Sequence, residues 1–191
     1  MNTPSHLIIN AALHKKNKRG DIVKSAFLWG SVMPDIPLGI LIIGFSIYYQ
    51  FVLGLSPADV MESVFHQAYF NNPWWIAAHN VLHSPLSLGI YLVVLWRFRQ
   101  QTGSRGHWWF WFVIGCLVHT IIDIPVHFDD GPLLFWPLNW ATRFQSPVSY
   151  WDPAHYGIPF TIFEIVLDFG LLAYLFFPRL RARFSKKKSV T

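Results

Sequence analysis

The sequence predicts an all-α integral membrane protein, with about four long apolar helices, short N-terminal helices and a long 127–157 loop. Three observations carry this reading. Of the 191 residues, 53% are hydrophobic and only 13% are charged, where a soluble domain carries about 25% charged residues. Apolar runs of bilayer-spanning length recur along the chain. The basic residues, which leave a net charge of +5, cluster beside those runs, as in cytoplasmic loops facing anionic lipid. The length suits one membrane-embedded domain over residues 1–178, followed by a basic cytoplasmic tail over 179–191.

Thr3-Pro4-Ser5 offers a helix start, and residues 5–14 form a short apolar helix. A basic turn from Lys15 to Gly20 leads to a second short helix over 22–32, which stops at Met33-Pro34-Asp35-Ile36-Pro37. From Ile36 to Leu55 no residue is charged, and the run is about long enough to cross a bilayer. Ser56-Pro57-Ala58-Asp59 reads as an N-cap opening an amphipathic segment to Phe70, broken by Asn71-Asn72-Pro73. Residues 74–96 form a second long run, interrupted by His79, His83 and Pro85. The third runs from Trp108 to Val126, and the fourth, Ile158 to Phe177, holds Glu164 and Asp168. Between them, residues 127–157 lack a helix or strand period; loops of that length are more often functional than not.

Charge asymmetry places both termini and the Arg97–Arg105 loop in the cytoplasm, with 56–73 and 127–157 outside. Met1–His6 lacks a basic region followed by an apolar one, so no cleaved signal peptide is expected. The single cysteine, Cys116, reads as a buried free thiol. Nucleic-acid binding is not expected, because no recognition motif accompanies the basic tail.

His119 and Asp123 lie four apart in one of the most apolar stretches, which on a helix places them on one face. A carboxylate inside a membrane costs about 2.5–3.5 kcal/mol. A metal shared by imidazole and carboxylate offsets this cost, and so does a helix-internal His–Asp hydrogen bond. The wider candidate set is His6, Asp35, His79, His83, His127, Asp129, Asp130, Asp152 and His155, a donor chemistry suited to zinc, iron, manganese or nickel. Each has a simpler reading. Asp35 suits an N-cap, Asp129-Asp130-Gly131-Pro132 and Trp151-Asp152-Pro153 suit turns, and His14, His66 and His107 read as surface residues. The tryptophan clusters fit an interfacial belt. Glu164 and Asp168 must pair, bind a cation or be protonated.

The order Thr3-Pro4-Ser5-His6, Pro34-Asp35-Ile36, His83-Ser84-Pro85-Leu86, His119-x-x-x-Asp123 and Gly131-Pro132-Leu133-Leu134-Phe135-Trp136-Pro137-Leu138 resembles the YdjM-like family. Its members are bacterial inner-membrane proteins described as metal-dependent hydrolases. The resemblance implies a metal site of His6, Asp35, His83, His119 and Asp123, and an inner-membrane location. A more distant similarity to zinc-dependent phospholipase C suggests phosphoester hydrolysis. The chain departs from the family in the stretch His79-Asn80-Val81-Leu82-His83-Ser84, where Arg-Gly is missing and the spacing is one residue shorter. It also departs at His127, Asp129 and Asp130.

The leading expectation is a membrane-bound hydrolase with a divalent metal, zinc, bound by His and Asp. Asp129, Asp130 or Asp152 serves as general base or orients a ligand imidazole, and the substrate is a lipid or lipid-linked phosphoester. Membrane lipid is the expected partner, with protein partners undetermined. The rival readings are an ion or proton pathway along His119, Asp123, Glu164 and Asp168, and a structural protein whose His–Asp pairs satisfy each other. Four full spans create a conflict: Asp35 and Asp123 fall at opposite ends of roughly 30 Å of hydrocarbon. Either 36–55 is re-entrant or buried, or Asp35 is only a cap. The 127–157 loop is expected to cover the site, with Phe135, Trp136, Trp140, Tyr150 and Trp151 packed down and His127 or His155 turned inward.

Overall fold

The computed structural model describes residues 1–17 and 20–188, with side chains through Phe177. Lys18, Arg19 and the side chains of the 179–191 tail lie outside the described residues. The elements are α1 (Thr3–Lys16), α2 (Lys24–Gly30), α3 (Asp35–Ile47), α4 (Pro57–Met61), α5 (Tyr69–Asn71), α6 (Pro73–Asn80), α7 (Pro85–Leu95), α8 (Arg105–Asp123) and α9 (Gly157–Lys188). A π-helical turn at Tyr48–Val52 extends α3, and another at Glu62–Ala68 joins α4 to α5. No strand occurs among the described residues, only a lone bridge between Leu133 and Arg143 in the 127–157 loop.

Helix starts follow local chemistry. Ser56 accepts from Asp59 N at 3.3 Å, Asn72 from Trp74 N at 2.9 Å, and Ser104 from His107 N at 3.0 Å. Prolines 4, 57, 73 and 85 fall in first turns, where no N–H is needed.

Asp35–Val52, Arg105–Val126 and Gly157–Phe177 are long and apolar enough to cross a membrane. The expected second long run is instead two helices, Pro73–Asn80 and Pro85–Phe98, bent by 50° at the His83–Pro85 break. Pro85 lacks an N–H, and the carbonyls left over at the bend are partly taken by side chains, as Thr120 Oγ1 does for His83 O at 3.0 Å.

The conflict over Asp35 is removed by α2. This short helix lies along α8 in the same direction: Ser25 Oγ accepts from Trp108 Nε1 at 3.1 Å, and the Ser31 carbonyl meets His119 Nδ1 at 2.8 Å. The contact is close because two glycines face each other. A Cβ on Gly30 would stand 2.2 Å from the Phe112 carbonyl oxygen, and one on Gly115 would stand 2.5 Å from that of Phe27. Small residues let helix backbones approach where lipid offers no hydrophobic drive for association. The chain therefore travels beside α8 before Asp35 is reached, and Asp35 arrives at the same end as Asp123. Returning the other way, α1 is tied to both: Asn10 Nδ2 donates to Phe27 O at 3.1 Å and Gly115 O at 3.4 Å.

Ala26, Leu88, Phe112, Val113 and Cys116 form the core of α2, α7 and α8. A second core joins Leu38, Leu41, Ile42, Phe45 and Tyr49, one face of α3, to Val60, Val64, Ala68 and Trp75. The opposite face of α3, with Ile40, Ile43 and Ile47, is exposed, as is most of α9. His14 is half-buried and His66 exposed, but His107, read as a surface residue, is buried between the carbonyls of Phe98 and Asp21.

Substituting Gly115 or Gly30 by Leu should abolish the α2–α8 contact, since overpacking costs about 1–3 kcal/mol even where neighbours can shift. Gly170→Leu, with nothing within 4 Å of its would-be Cβ, should leave thermal stability in detergent unchanged. Equal effects at the three positions would refute the close contact.

Candidate metal centre

Asp123 ends α8 with 2% exposure, and polar groups from four parts of the chain close on its two oxygens. His83 Nε2 and His119 Nε2 lie 2.9 Å and 3.0 Å from Oδ2. His6 Nε2 lies 2.9 Å from Oδ1, the Met1 amino group 2.8 Å and His127 Nε2 3.7 Å. Asp35 approaches from the start of α3, with Oδ1 3.3 Å from His119 Nε2. Thr3 Oγ1 donates to the other Asp35 oxygen at 2.5 Å.

Asp35, His83, His119 and Asp123 each present one donor atom within 4.8 Å of the others and can hold a metal ion. Zinc bound at about 2.0–2.2 Å by such donors needs mutual separations of this order. His119 fits ligation in a further respect. Its Nδ1–H donates to the Ser31 carbonyl at 2.8 Å, which leaves Nε2 as the lone-pair nitrogen. That Nε2 is buried and faces two carboxylate oxygens, 3.0 Å from Asp123 Oδ2 and 3.3 Å from Asp35 Oδ1. A buried lone pair facing two anions is an unfavourable arrangement, which either a shared metal cation or a proton on Nε2 relieves. The rings of His6 and His119 stack with centroids 3.7 Å apart, which keeps both edges aimed at Asp123. Burial holds the His6 imidazole below its ordinary pKa.

Beyond the four-donor group lies a ring of polar contacts. His127 Nδ1 donates to Asp130 Oδ1 at 3.0 Å, and Asp130 Oδ2 accepts from Trp151 Nε1 at 2.8 Å. Burial pushes the Asp130 carboxyl up, but those partners outweigh it and hold it below the usual range. For His127, burial acts downward, and the two carboxylates prevail and raise it. Tyr69 donates to the Asp130 carbonyl, and His79 Nδ1 donates to the Tyr69 hydroxyl at 3.2 Å. His79 thus meets Tyr69 and packs edge-on against His83, with centroids 4.7 Å apart, rather than joining the group. His155 also stays apart: it pairs with Asp152 at 2.6 Å and stacks on Phe128. Asp129 is exposed.

The 127–157 loop is pinned over the α6–α7 break. Leu133 N donates to Asn80 Oδ1 at 2.7 Å, and the Trp136 carbonyl accepts from Ser84 Oγ at 3.0 Å and Ser87 Oγ at 2.9 Å. His127 turns inward, as expected of the loop, but Phe135, Trp140 and Trp151 remain exposed instead of packing down. Sequence reasoning did not find Asn80, Ser31, Thr3 or Tyr69. A buried Asn beside two histidines in an apolar run was the one available signal; a backbone carbonyl such as Ser31's leaves none.

Asn80→Ala should strand the buried Leu133 N–H, at a cost of about 1–3 kcal/mol. The expected readout is faster proteolytic cleavage within 127–157 than in the wild type. Unchanged cleavage would show that the loop is held otherwise.

No curated protein and no solved structure matches the chain. A family model described as YdjM inner membrane protein matches residues 1–185. With nearly the whole chain matched and apolar helices around a buried His/Asp group, the chain belongs to the YdjM inner membrane protein family.

Proposed function

We propose that this protein is a membrane-bound, zinc-dependent hydrolase of phosphoesters, with a lipid or lipid-linked phosphoester as substrate. The observation that carries the reading is the convergence of Asp35, His83, His119 and Asp123, donors from two helices and a helix break, on one buried point. Closed His–Asp pairing is the second reading, since His119 Nε2 lies 3.0 Å from Asp123 and 3.3 Å from Asp35; metal analysis separates the two.

Asp35, His83, His119 and Asp123 hold the ion, and His6 braces the second oxygen of Asp123. A divalent ion there supplies Lewis acidity, polarising an ester and lowering the pKa of water toward about 7. His127 faces the group through Nε2 and is oriented by Asp130, a pairing suited to accepting a proton from attacking water and passing it to the leaving oxygen. Of the three carboxylates read as general bases, Asp130 takes the orienting role, while Asp152 is engaged with His155. The surrounding apolar helices and the exposed aromatics of the loop favour a substrate delivered from the bilayer.

The basic residues at the start of α8 lie about 28 Å from Asp123, by helix length. With that basic end in the cytoplasm, the group faces the outer side. On this reading Met1, beside Asp123, lies outside and only the C-terminus is cytoplasmic, in place of the both-inside topology that charge asymmetry suggests.

Metal analysis of detergent-purified protein should find zinc at close to one ion per chain, with His119→Ala and Asp123→Asn near zero. A metal-free wild type, or full occupancy in both variants, would defeat the reading. Reporters fused after α9 should register the cytoplasm and tags inserted in 127–157 the outside. The reverse pattern would place the site on the cytoplasmic face.

A further inference from the structure

Little of Gly157–Phe177 is buried, yet Glu164 within it has only 2% exposure. Both of its oxygens are taken by one residue: Asn2 donates through its backbone N–H and through Nδ2, each at 2.7 Å. One turn further along α9, Asp168 Oδ2 accepts from Ser5 Oγ at 2.7 Å. Near the other end of α1, Lys15 Nζ donates to the Tyr174 carbonyl at 2.5 Å and the Leu175 carbonyl at 3.1 Å, and lies 4.4 Å from the Tyr174 ring centroid. The Tyr174 carbonyl needs such a donor. In a helix its partner is the N–H four residues on, and residue 178 is proline, which has none. Two carboxylates and a lysine thus join α1 to α9 at both ends, in a setting where lipid cannot satisfy them.

The spacing ties this clamp to the metal centre. On α1, Asn2 and Ser5 face α9, while Thr3 and His6, one position on from each, reach Asp35 and Asp123. Successive residues on a helix point about 100° apart. Holding one pair against α9 therefore sets the direction of the other.

We propose that Glu164 and Asp168 are positioning residues of the metal centre, locking α1 against α9 so that His6 and Thr3 are presented to Asp123 and Asp35. The proposal rests on the metal reading of that site. It gives these two acids a role other than lining an ion pathway, since both Glu164 oxygens are engaged by Asn2.

The test uses the full chain and two readouts. The first is zinc retention under chelator titration. Glu164→Ala and His6→Ala should each weaken retention at least tenfold. The double variant should lose less than the two single losses combined, because part of the Glu164 effect passes through His6. Glu164→Gln, which keeps one acceptor, should fall between wild type and Glu164→Ala, and it carries the comparison if Glu164→Ala does not accumulate. The second readout needs no metal. Ile9 and Leu171 line one crevice between α1 and α9. Cysteines placed at both positions should be joined by a short thiol crosslinker in the otherwise wild-type chain and not in the Glu164 variant. Wild-type retention in Glu164→Ala, or additive losses with His6→Ala, would overturn the proposal. A wild type that holds no zinc would sink the metal reading itself. The crosslink then decides the clamp, and its persistence in the Glu164 variant would overturn it.

Discussion

A carboxylate buried at the C-terminal end of an apolar helix is the constraint that the rest of this molecule answers. Asp123 suffers twice: it is removed from water, and it sits at the negative end of the α8 dipole. The effective penalty for burying such a charge is several kcal/mol. Removing it would leave the imidazoles of His6, His83 and His119 facing one another with no anion between them. Each approaches Asp123 within 3.0 Å, and each comes from a different element. The centre is thus both the most costly feature of the fold and the point where α1, α3, α8 and the α6–α7 break are joined.

Those elements can meet because the backbone makes room. The Gly30–Gly115 contact allows α2 to lie directly on α8, which brings the Ser31 carbonyl to His119 Nδ1 and sets the tautomer of that ring. Four residues later Asp35 stands beside Asp123. A two-residue packing feature in the core therefore fixes the orientation of a side chain at the site. The bend at Pro85 acts similarly: it turns His83 toward Asp123 and exposes polar groups that Asn80 and Ser84 use to anchor the 127–157 loop.

The loop's contribution is uneven, and the reason is physical. His127 and Asp130 follow immediately after α8, so the chain has no freedom to carry them away from the site. Phe135, Trp140 and Trp151 are further along and stay exposed, as aromatic side chains of an interfacial belt do.

Some properties were determined by sequence alone, because they depend on composition and local spacing. The all-α membrane class follows from the low charge and the long apolar runs. The i, i+4 geometry of His119 and Asp123 follows from helix periodicity, and the helix starts at Ser56 and Asn72 from capping chemistry. Family resemblance added His6, Asp35 and His83 as partners, but it could not explain how Asp35 reaches the same end of the molecule as Asp123. Only the tertiary structure decided that. The residues 22–32 look too short to matter for a membrane, yet two glycines far apart in sequence let them travel beside α8. It also separated His79 and His155 from the four-donor group, buried His107, and gave Glu164 and Asp168 the partners Asn2 and Ser5. These outcomes depend on backbone approach and on donors from distant segments. Neither leaves a local pattern in the order of residues.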